Sequence, residues 1–232
     1  MKLKRFLQYL SPFEWLLWTG SLLVITLSYL WGENSYFLSF IASLVGVSAL
    51  IFIAKGNVIG QFLIIIFCLL YGTVSLRFRY YGELITYVCM SLPSAVTACV
   101  TWLKNPSQAN ANEVKVGNMT KRKWILLTLA SLTVTTLFYF ILRYFQTPNL
   151  PLSTLSVTTS FFASMLLILR SPYYALAYGA NDLVLIGLWT YASFADSSYL
   201  PMLFCFITFL ANDAYGFVSW IKMEKRQKEN QS

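Results

Sequence analysis

Long apolar segments recur along the whole chain, and they limit what it can fold into. Each contains 15 to 23 residues, and about 20 apolar residues cross the hydrocarbon core of a bilayer as a helix. Charged residues make up only 11% of the chain, less than half of the roughly 25% found in a soluble domain. A water-soluble globule is therefore excluded. We predict an all-α polytopic membrane protein that has the lipid bilayer as its main partner.

Eight segments are predicted to span the membrane. The first follows a basic N-terminus, as a secretory signal does, but no small-residue cleavage pattern comes after it, so we expect it to remain as a helix. The sixth is the shortest. The predicted spans cover residues 15–31, 36–54, 58–78, 84–103, 124–142, 155–169, 173–194 and 199–221.

The basic residues are divided unevenly between the two sides of such a bundle. An even number of spans puts both chain ends on one side, and that side receives fourteen of the seventeen Lys and Arg residues. The other side receives Arg77, Arg79 and Arg143. Because short cytoplasmic loops carry the excess of positive charge, both termini are predicted to be cytoplasmic. Contact with anionic headgroups accounts for the net charge of +8, so we expect no nucleic-acid partner.

The second half of the chain repeats features of the first. A shift of 118 residues places Tyr71 on Trp189 and Trp102 on Trp220. Two three-helix units joined by one extra helix must point the same way across the membrane, and parallel repeats of this kind hold a solute site between them near mid-membrane. We therefore predict a single membrane domain with a 3+1+3 core. Its predicted parts are an extra N-terminal helix at 13–32, a first repeat at 36–104, a cytoplasmic loop at 105–123, a linker helix at 124–145, a second repeat at 154–222 and a cytoplasmic tail at 223–232.

Polar side chains recur at helical spacing inside two of the predicted spans. Such groups are costly in lipid and should face the bundle interior or a water-filled cavity. The role of Asp213, which lies beside one of these stripes, stays open between function and structure. Matching stripes predict a shared lumen, and hence the transport of a small polar solute. The stripes are Thr208, Asn212, Tyr215 and Ser219 on the last span, and Tyr87, Ser91, Ser94 and Thr101 on the fourth.

The seventh span carries the densest group of candidate binding residues. At 100° per residue, Tyr178, Asp182 and Trp189 fall within about 40° of one another, and Asn181 lies at the edge of that stripe. Aromatic faces around a carboxylate suit a flat cationic solute. With residues of the third and eighth spans added, the predicted solute-binding residues are Gln61, Tyr71, Tyr178, Asn181, Asp182, Trp189, Asn212 and Tyr215.

The residue inventory narrows the chemistry further. The chain has no histidine, and its four cysteines show no metal or redox spacing, so we expect no cofactor and no bound metal. Two alternatives stay open: an intramembrane enzyme with Asp182 and Asp213 as an acid–base pair, and a structural or receptor-like protein. No nucleophile with a partner base accompanies these carboxylates, and polar stripes disfavour a purely structural role. We therefore predict that the chain is not an enzyme.

Short motifs in both halves resemble those of one transporter family. In the first half they are Lys55-Gly56-Asn57, Tyr71-Gly72, Tyr81-Gly82-Glu83-Leu84, Leu92-Pro93 and Trp102; in the second they are Asn181, Trp189, Tyr199-Leu200-Pro201-Met202, Asn212-Asp213-Ala214-Tyr215-Gly216-Phe217 and Trp220. The family is that of the PnuC-type nicotinamide riboside transporters. The resemblance implies a SWEET-like fold in the cell membrane and facilitated diffusion of nicotinamide riboside, or a related vitamin precursor, into the cytoplasm. It also implies trapping of the solute by a cytoplasmic kinase, and a homo-oligomer such as a trimer.

The chemistry of nicotinamide riboside suits the predicted site. Tyr178 and Trp189 would enclose its cationic ring, Asn181 or Asn212 would bind its amide or ribose, and Asp182 would balance its charge. A phosphorylated mononucleotide fits less well, because no Arg or Lys lies at mid-membrane to receive phosphate. Proton coupling through Asp182 is left open beside simple facilitated diffusion.

Two departures from the family pattern bear on the solute. The family commonly has a glutamine two residues after the proline matched to Pro93, where this chain has Ala95. It also commonly has a tryptophan about one turn before Asn181, where this chain has Ala177 and Tyr178. Since relatives in the family carry thiamine or deoxynucleosides, another nucleoside-like vitamin is the alternative solute.

Overall fold

The computed structural model describes residues 9–32, 36–108, 110–147 and 149–230. Lys2, Lys4 and Arg5, which the charge argument placed on the cytoplasmic side, lie outside these ranges. The described part of the chain is helical apart from one isolated bridge between Pro106 and Val114 and the connecting turns. Its helices are α1 Pro12–Trp31, α2 Phe37–Ala54, α3 Ile59–Arg77, α4 Tyr81–Ile85, α5 Leu92–Lys104, α6 Lys121–Tyr144, α7 Leu150–Ile168, α8 Tyr174–Ala195 and α9 Leu200–Glu229.

Local sequence signals fix the start of several helices. Ser11 and Glu14 form a capping box at α1, in which each side chain binds the other residue's backbone N–H, and Pro12 takes the first helical position, where no N–H is needed. Thr120 caps α6 by accepting a hydrogen bond from the N–H of Lys123. In α7, Pro151 takes the second helical position, where no N–H is needed either.

The fourth predicted span is not one regular helix. It consists of α4, a π-helical segment at Thr86–Ser91, and α5. Pro93 explains the change, since a proline inside a helix has no N–H to donate and its ring clashes with the carbonyl one turn earlier. The opened segment places Tyr87 against the bundle interior, where it is 7% exposed.

The lengths of other predicted spans also differ from the structure. The sixth was predicted to begin at residue 155, but α7 begins at Leu150, so it is long enough to span a bilayer. The last was predicted to end at residue 221, and α9 continues to Glu229. Within the described residues, seven helical stretches are long and apolar enough to cross a membrane. Helix α8 has 22 residues but is not among these seven, because Asn181 and Asp182 lower its mean hydropathy.

Six elements form a closed ring around the centre of the molecule. Going around it, α2 packs on α3, α3 on α5, α5 on α7, α7 on α8, α8 on α9, and α9 back on α2. Helix α1 lies outside the ring against α2 and α9, and α6 lies outside against α7. We call the side where α1 begins and α9 ends the terminal face, and the other side the opposite face.

The outer surface of the bundle is strongly apolar. On α6 alone the residues Leu126, Leu129, Leu132, Leu137 and Phe140 are each at least 55% exposed. Soluble proteins rarely expose contiguous apolar patches of this size. The fold therefore places apolar side chains toward lipid and collects the polar ones inside the ring, as a multi-pass membrane protein requires.

Candidate functional site

A cavity lies inside the ring, between mid-bundle and the terminal face, and several polar side chains interrupt its mainly apolar lining. All six ring elements line it, and the lining includes Gln61, Tyr178, Asn181, Asp182 and Asp213. The space open to the centre of a water molecule is about 50 Å³, while one water needs about 10–15 Å³ on this measure. The cavity thus has room for a few waters, and a solute the size of a nucleoside can enter only if the ring widens.

Asn181 is held at the cavity wall by three hydroxyl groups. Its Oδ1 accepts hydrogen bonds from Thr159 at 2.8 Å, Ser160 at 3.0 Å and Ser156 at 3.4 Å, all on α7. Tyr178, one turn earlier on α8, shares a 3.0 Å hydrogen bond with Ser164. Because these bonds cross between α7 and α8, they fix both the side chains and the packing of the two helices.

Gln61 presents an unsatisfied amide to the cavity. Its side chain is fully buried, yet neither the Nε2 donor nor the Oε1 acceptor has a hydrogen-bond partner. Leaving such a group unpaired costs about 1–3 kcal/mol. An amide in this position can bind a solute that offers one donor and one acceptor.

Two carboxyl groups meet on the cavity wall. Asp182 on α8 and Asp213 on α9 are within hydrogen-bonding reach of each other, each no more than 3% exposed, and Oδ2 of Asp182 has no hydrogen bond. The described lining contains neither Lys nor Arg. Since two unshielded negative charges in contact are strongly unfavourable, the pair must hold a proton or a cation.

An aromatic cluster closes the ring toward the opposite face. Trp189 and Tyr71 are fully buried, and Nε1 of Trp189 donates a 3.1 Å hydrogen bond to the Tyr71 hydroxyl. Tyr80 and Tyr199 pack on Trp189 with ring centroids at 5.0 and 5.7 Å. Burial raises the pKa of Tyr80 to about 12, so this phenol stays neutral at physiological pH. We call Trp189 and Tyr71, with the rings packed on them, the opposite-face plug.

A second aromatic cluster closes the terminal face. Trp102 and Trp220 pack with centroids 5.5 Å apart, and Tyr174 packs on Trp220 at 5.0 Å. The two indoles are anchored to backbone carbonyls, Trp102 to Leu167 at 3.3 Å and Trp220 to Ile53 at 2.8 Å. The cavity is therefore blocked at both ends.

The predicted binding residues fall into three places. Gln61, Tyr178, Asn181 and Asp182 line the cavity, and Tyr71 and Trp189 form the plug above it. Asn212 and Tyr215 face α1 instead: Nδ2 of Asn212 donates to Ser21 at 3.1 Å, and the Tyr215 hydroxyl donates to Glu14 at 2.7 Å. That a solute binds any of these residues stays a prediction.

Sequence reasoning missed two groups of residues near the cavity. The serines Ser156, Ser160 and Ser164 recur every four residues on α7, a polar stripe inside a predicted span that could have been recognised by its spacing. Glu83 was noticed only as part of a family motif, although a carboxylate beside an apolar segment signals a functional position. It is 1% exposed.

A ring of long apolar helices around a central cavity that holds buried polar side chains and is plugged at both ends defines a helical membrane transporter. Comparison with known proteins also places the chain among membrane transporters. The family model for the nicotinamide mononucleotide transporters matches residues 36–222, and the chain belongs to this family.

Curated relatives and a solved structure support this assignment along nearly the whole chain. The nicotinamide riboside transporter PnuC of Neisseria mucosa is 28% identical over 82% of this chain and 73% of its own length. The PnuC protein of Haemophilus influenzae is 24% identical over 93% of this chain and 92% of its own. A crystal structure of the vitamin B3 transporter PnuC superposes with a TM-score of 0.83 at 26% identity, covering 94% of both chains.

Proposed function

We propose that this protein carries nicotinamide riboside into the cytoplasm by facilitated diffusion, and that phosphorylation by a cytoplasmic kinase then traps the solute. The observation that carries the proposal is the unsatisfied polar lining of the closed cavity. Gln61 and Asp182 each bury polar atoms without partners, at a cost that a bound solute would remove. Relatives named as nicotinamide riboside transporters support the choice of solute.

The chemistry of the cavity matches each part of this solute. The pyridinium ring is flat and cationic, and it suits the faces of Tyr178, Tyr87 and Phe67 in the lining. The Asp182–Asp213 pair supplies a counter-charge. The hydroxyls and carboxamide of the solute are hydrogen-bond donors and acceptors of the kind that Gln61 and Asn181 bind.

The nucleoside is a better substrate for this cavity than the nucleotide. A phosphate group needs Arg, Lys or a helix N-terminus to bind it, and the described lining offers two carboxylates instead. These would repel a dianion.

We also propose the finer architecture that transport requires. The eight spans form two parallel three-helix units, 36–104 and 154–222, joined by α6 and preceded by α1, as in a SWEET-like fold. In support, residues 118 apart meet on the central axis of the ring: Tyr71 bonds Trp189, and Trp102 packs on Trp220. Opening one pair while the other stays closed would give alternating access.

Location and assembly complete the proposal. The excess of Lys and Arg at the terminal face supports cytoplasmic termini and a place in the cell membrane. A homo-oligomer, such as the trimer that the family resemblance implies, remains a prediction.

A second cationic vitamin such as thiamine is the runner-up solute, because Ala95 and Tyr178, which depart from the family pattern, both line the cavity.

Direct binding to the purified protein tests the proposed solute. Nicotinamide riboside, nicotinamide mononucleotide, thiamine and a deoxynucleoside are titrated in parallel by calorimetry in detergent. We expect nicotinamide riboside to bind at least ten times more tightly than the mononucleotide. Equal or tighter binding of the mononucleotide would refute the assignment, and tighter binding of thiamine would transfer it to the runner-up.

A further inference from the structure

A buried carboxylate lies outside the cavity, toward the opposite face. Glu83 is 1% exposed, and neither carboxylate oxygen makes a hydrogen bond. Tyr71 and Ser156 lie near it. Among the described residues, the ion pairs join Lys55 to Glu14, Arg226 to Glu113 and Lys228 to Glu224, so Glu83 has no cationic partner in this conformation.

Further unpaired oxygens accompany Glu83. Oγ of Ser75 and Oγ1 of Thr86 are fully buried and have no hydrogen-bond partner. Thr86 lies three residues after Glu83, on the same helical face, and Ser75 lies one turn after Tyr71 on α3. A carboxylate with hydroxyl oxygens is the donor set that hard cations prefer, and Ser75 and Thr86 are the unpaired hydroxyls next to Tyr71 and Glu83 along their helices.

The position of Glu83 connects the opposite-face plug with the cavity. Tyr71, which lies near Glu83, accepts the 3.1 Å hydrogen bond from Trp189 that holds the plug. Ser156, on the other side of Glu83, donates to Asn181 at the cavity wall. A group bound at Glu83 would therefore lie next to Tyr71 of the plug and next to Ser156, which bonds Asn181 at the cavity wall.

We propose that Glu83, with the hydroxyls of Ser75 and Thr86, forms a second binding subsite for a monovalent cation. An ionised carboxylate buried without a partner is strongly unfavourable, so Glu83 needs a proton or a cation, and the proposed cation arrives when the Trp189–Tyr71 contact opens. The cation is either the charged ring of the solute on its way to the cavity or a free sodium ion. The first possibility rests on the proposed function, and the second does not.

Charge-selective exchange tests the solute possibility. Half-saturation concentrations are measured in proteoliposomes for nicotinamide riboside and for its reduced form, which has nearly the same shape but an uncharged ring. We expect Glu83→Gln to raise the value for the cationic form at least tenfold and to change that for the reduced form less than twofold. Glu224→Gln, a surface carboxylate on α9, is the matched control and should change neither value.

Binding of radioactive sodium to the purified protein tests the other possibility. If sodium is the ligand, one ion binds per chain, Glu83→Gln removes it, and transport stops when sodium is replaced by N-methylglucamine. Unchanged charge selectivity in Glu83→Gln together with no sodium binding overturns the proposal. If Glu83→Gln is not obtained as monodisperse protein, Thr86→Val must shift the same values at least threefold, and no shift overturns it. If the wild type exchanges no nicotinamide riboside, the proposed function fails, and sodium binding alone decides the subsite.

Discussion

Gln61 is the residue whose buried amide most clearly needs a hydrogen-bond partner such as a bound solute. Its amide is fully buried in the cavity wall and unpaired. Replacement by leucine, which has a similar size, removes the unsatisfied atoms. We therefore expect Gln61→Leu to leave the melting temperature in detergent unchanged or raised, and to weaken solute binding about tenfold, the loss expected for about 1.4 kcal/mol of hydrogen bonding.

Gln108 provides the control, since it lies exposed in the loop between α5 and α6. Gln108→Leu should change solute binding less than twofold. If Gln61→Leu lowered the melting temperature by several degrees and left binding intact, Gln61 would be a structural residue with a partner that this conformation does not reveal.

The Asp182–Asp213 pair leads to a separate prediction about the charge of the solute. Because the Asp182–Asp213 pair supplies the counter-charge for a cationic solute, removing one carboxylate by Asp182→Asn should weaken binding of nicotinamide riboside more than binding of its uncharged reduced form, by about tenfold in the ratio. Titration of both forms by calorimetry measures the ratio. An equal loss for the two forms would show that Asp182 contributes hydrogen bonding or shape and not charge.

Sequence patterns predicted which helices carry buried polar side chains, but not always which neighbour those side chains face. Asn181, Asp182 and Tyr178 were expected at the lumen of the seventh span, and they line the cavity. On the last span the stripe through Asn212 and Tyr215 faces α1, and the neighbouring Asp213 lines the cavity. Periodicity shows that a polar face needs partners. Which neighbour supplies them depends on packing, here on Ser21 and Glu14 of α1.

At the scale of elements, the loop between α5 and α6 is bound across the terminal face. Val114 donates to the carbonyl of Gly56 at 2.9 Å, and Gly117 donates to that of Arg170 at 2.9 Å. Gln227 on α9 binds both Val114 at 3.0 Å and Val116 at 2.9 Å. The loop therefore connects both halves of the ring next to the Trp102–Trp220 contact.

Gly117 allows the closest of these contacts. A Cβ atom there would lie 2.1 Å from the carbonyl oxygen of Leu169, which is backbone and cannot rotate away. We expect Gly117→Ala to detach the loop and to lose about 1–3 kcal/mol of stability, as overpacking does. Limited trypsin digestion should then cut at the exposed Lys115 several times faster than in the wild type.

Gly20→Ala is the matched control. No atom lies within 4 Å of a Cβ at this position in α1, and alanine is favoured over glycine inside a helix by about 0.5–1 kcal/mol. This variant should be as stable as the wild type or more so. Equal trypsin sensitivity in the two alanine variants would contradict the docking of the loop.

The elements themselves were mostly predictable, and the exceptions have local causes. Continuous apolar runs gave the positions of α1, α2, α3 and α6 to within a few residues. The break in the fourth span follows from Pro93, whose effect depends on how the helix rearranges around it. Helix α7 starts five residues before its predicted start, because Pro151 and Leu152 extend the helix toward its N-terminus, beyond the end of the apolar run.

At the scale of the whole molecule, the side of the membrane on which the termini lie determines which way the cavity and the opposite-face plug face. If the termini are cytoplasmic, the cavity lies closer to the cytoplasm and the Tyr71–Trp189 plug lies toward the outside. We expect tags on both ends to be inaccessible to a membrane-impermeant reagent in intact cells and accessible after permeabilisation. An accessible C-terminal tag in intact cells would contradict the eight-span arrangement.

Facilitated diffusion requires that nicotinamide riboside cross the membrane only down its own gradient. Purified protein in proteoliposomes, with no kinase, no ATP and no ion gradient, provides the most direct measurement. We expect radiolabelled nicotinamide riboside to equilibrate across the membrane and to stop at equal internal and external concentrations, with the rate sharply reduced in Gln61→Leu. Imposing a pH gradient should leave that end point unchanged. Accumulation above the external concentration would contradict facilitated diffusion, and no uptake above that of empty vesicles would contradict the proposed solute.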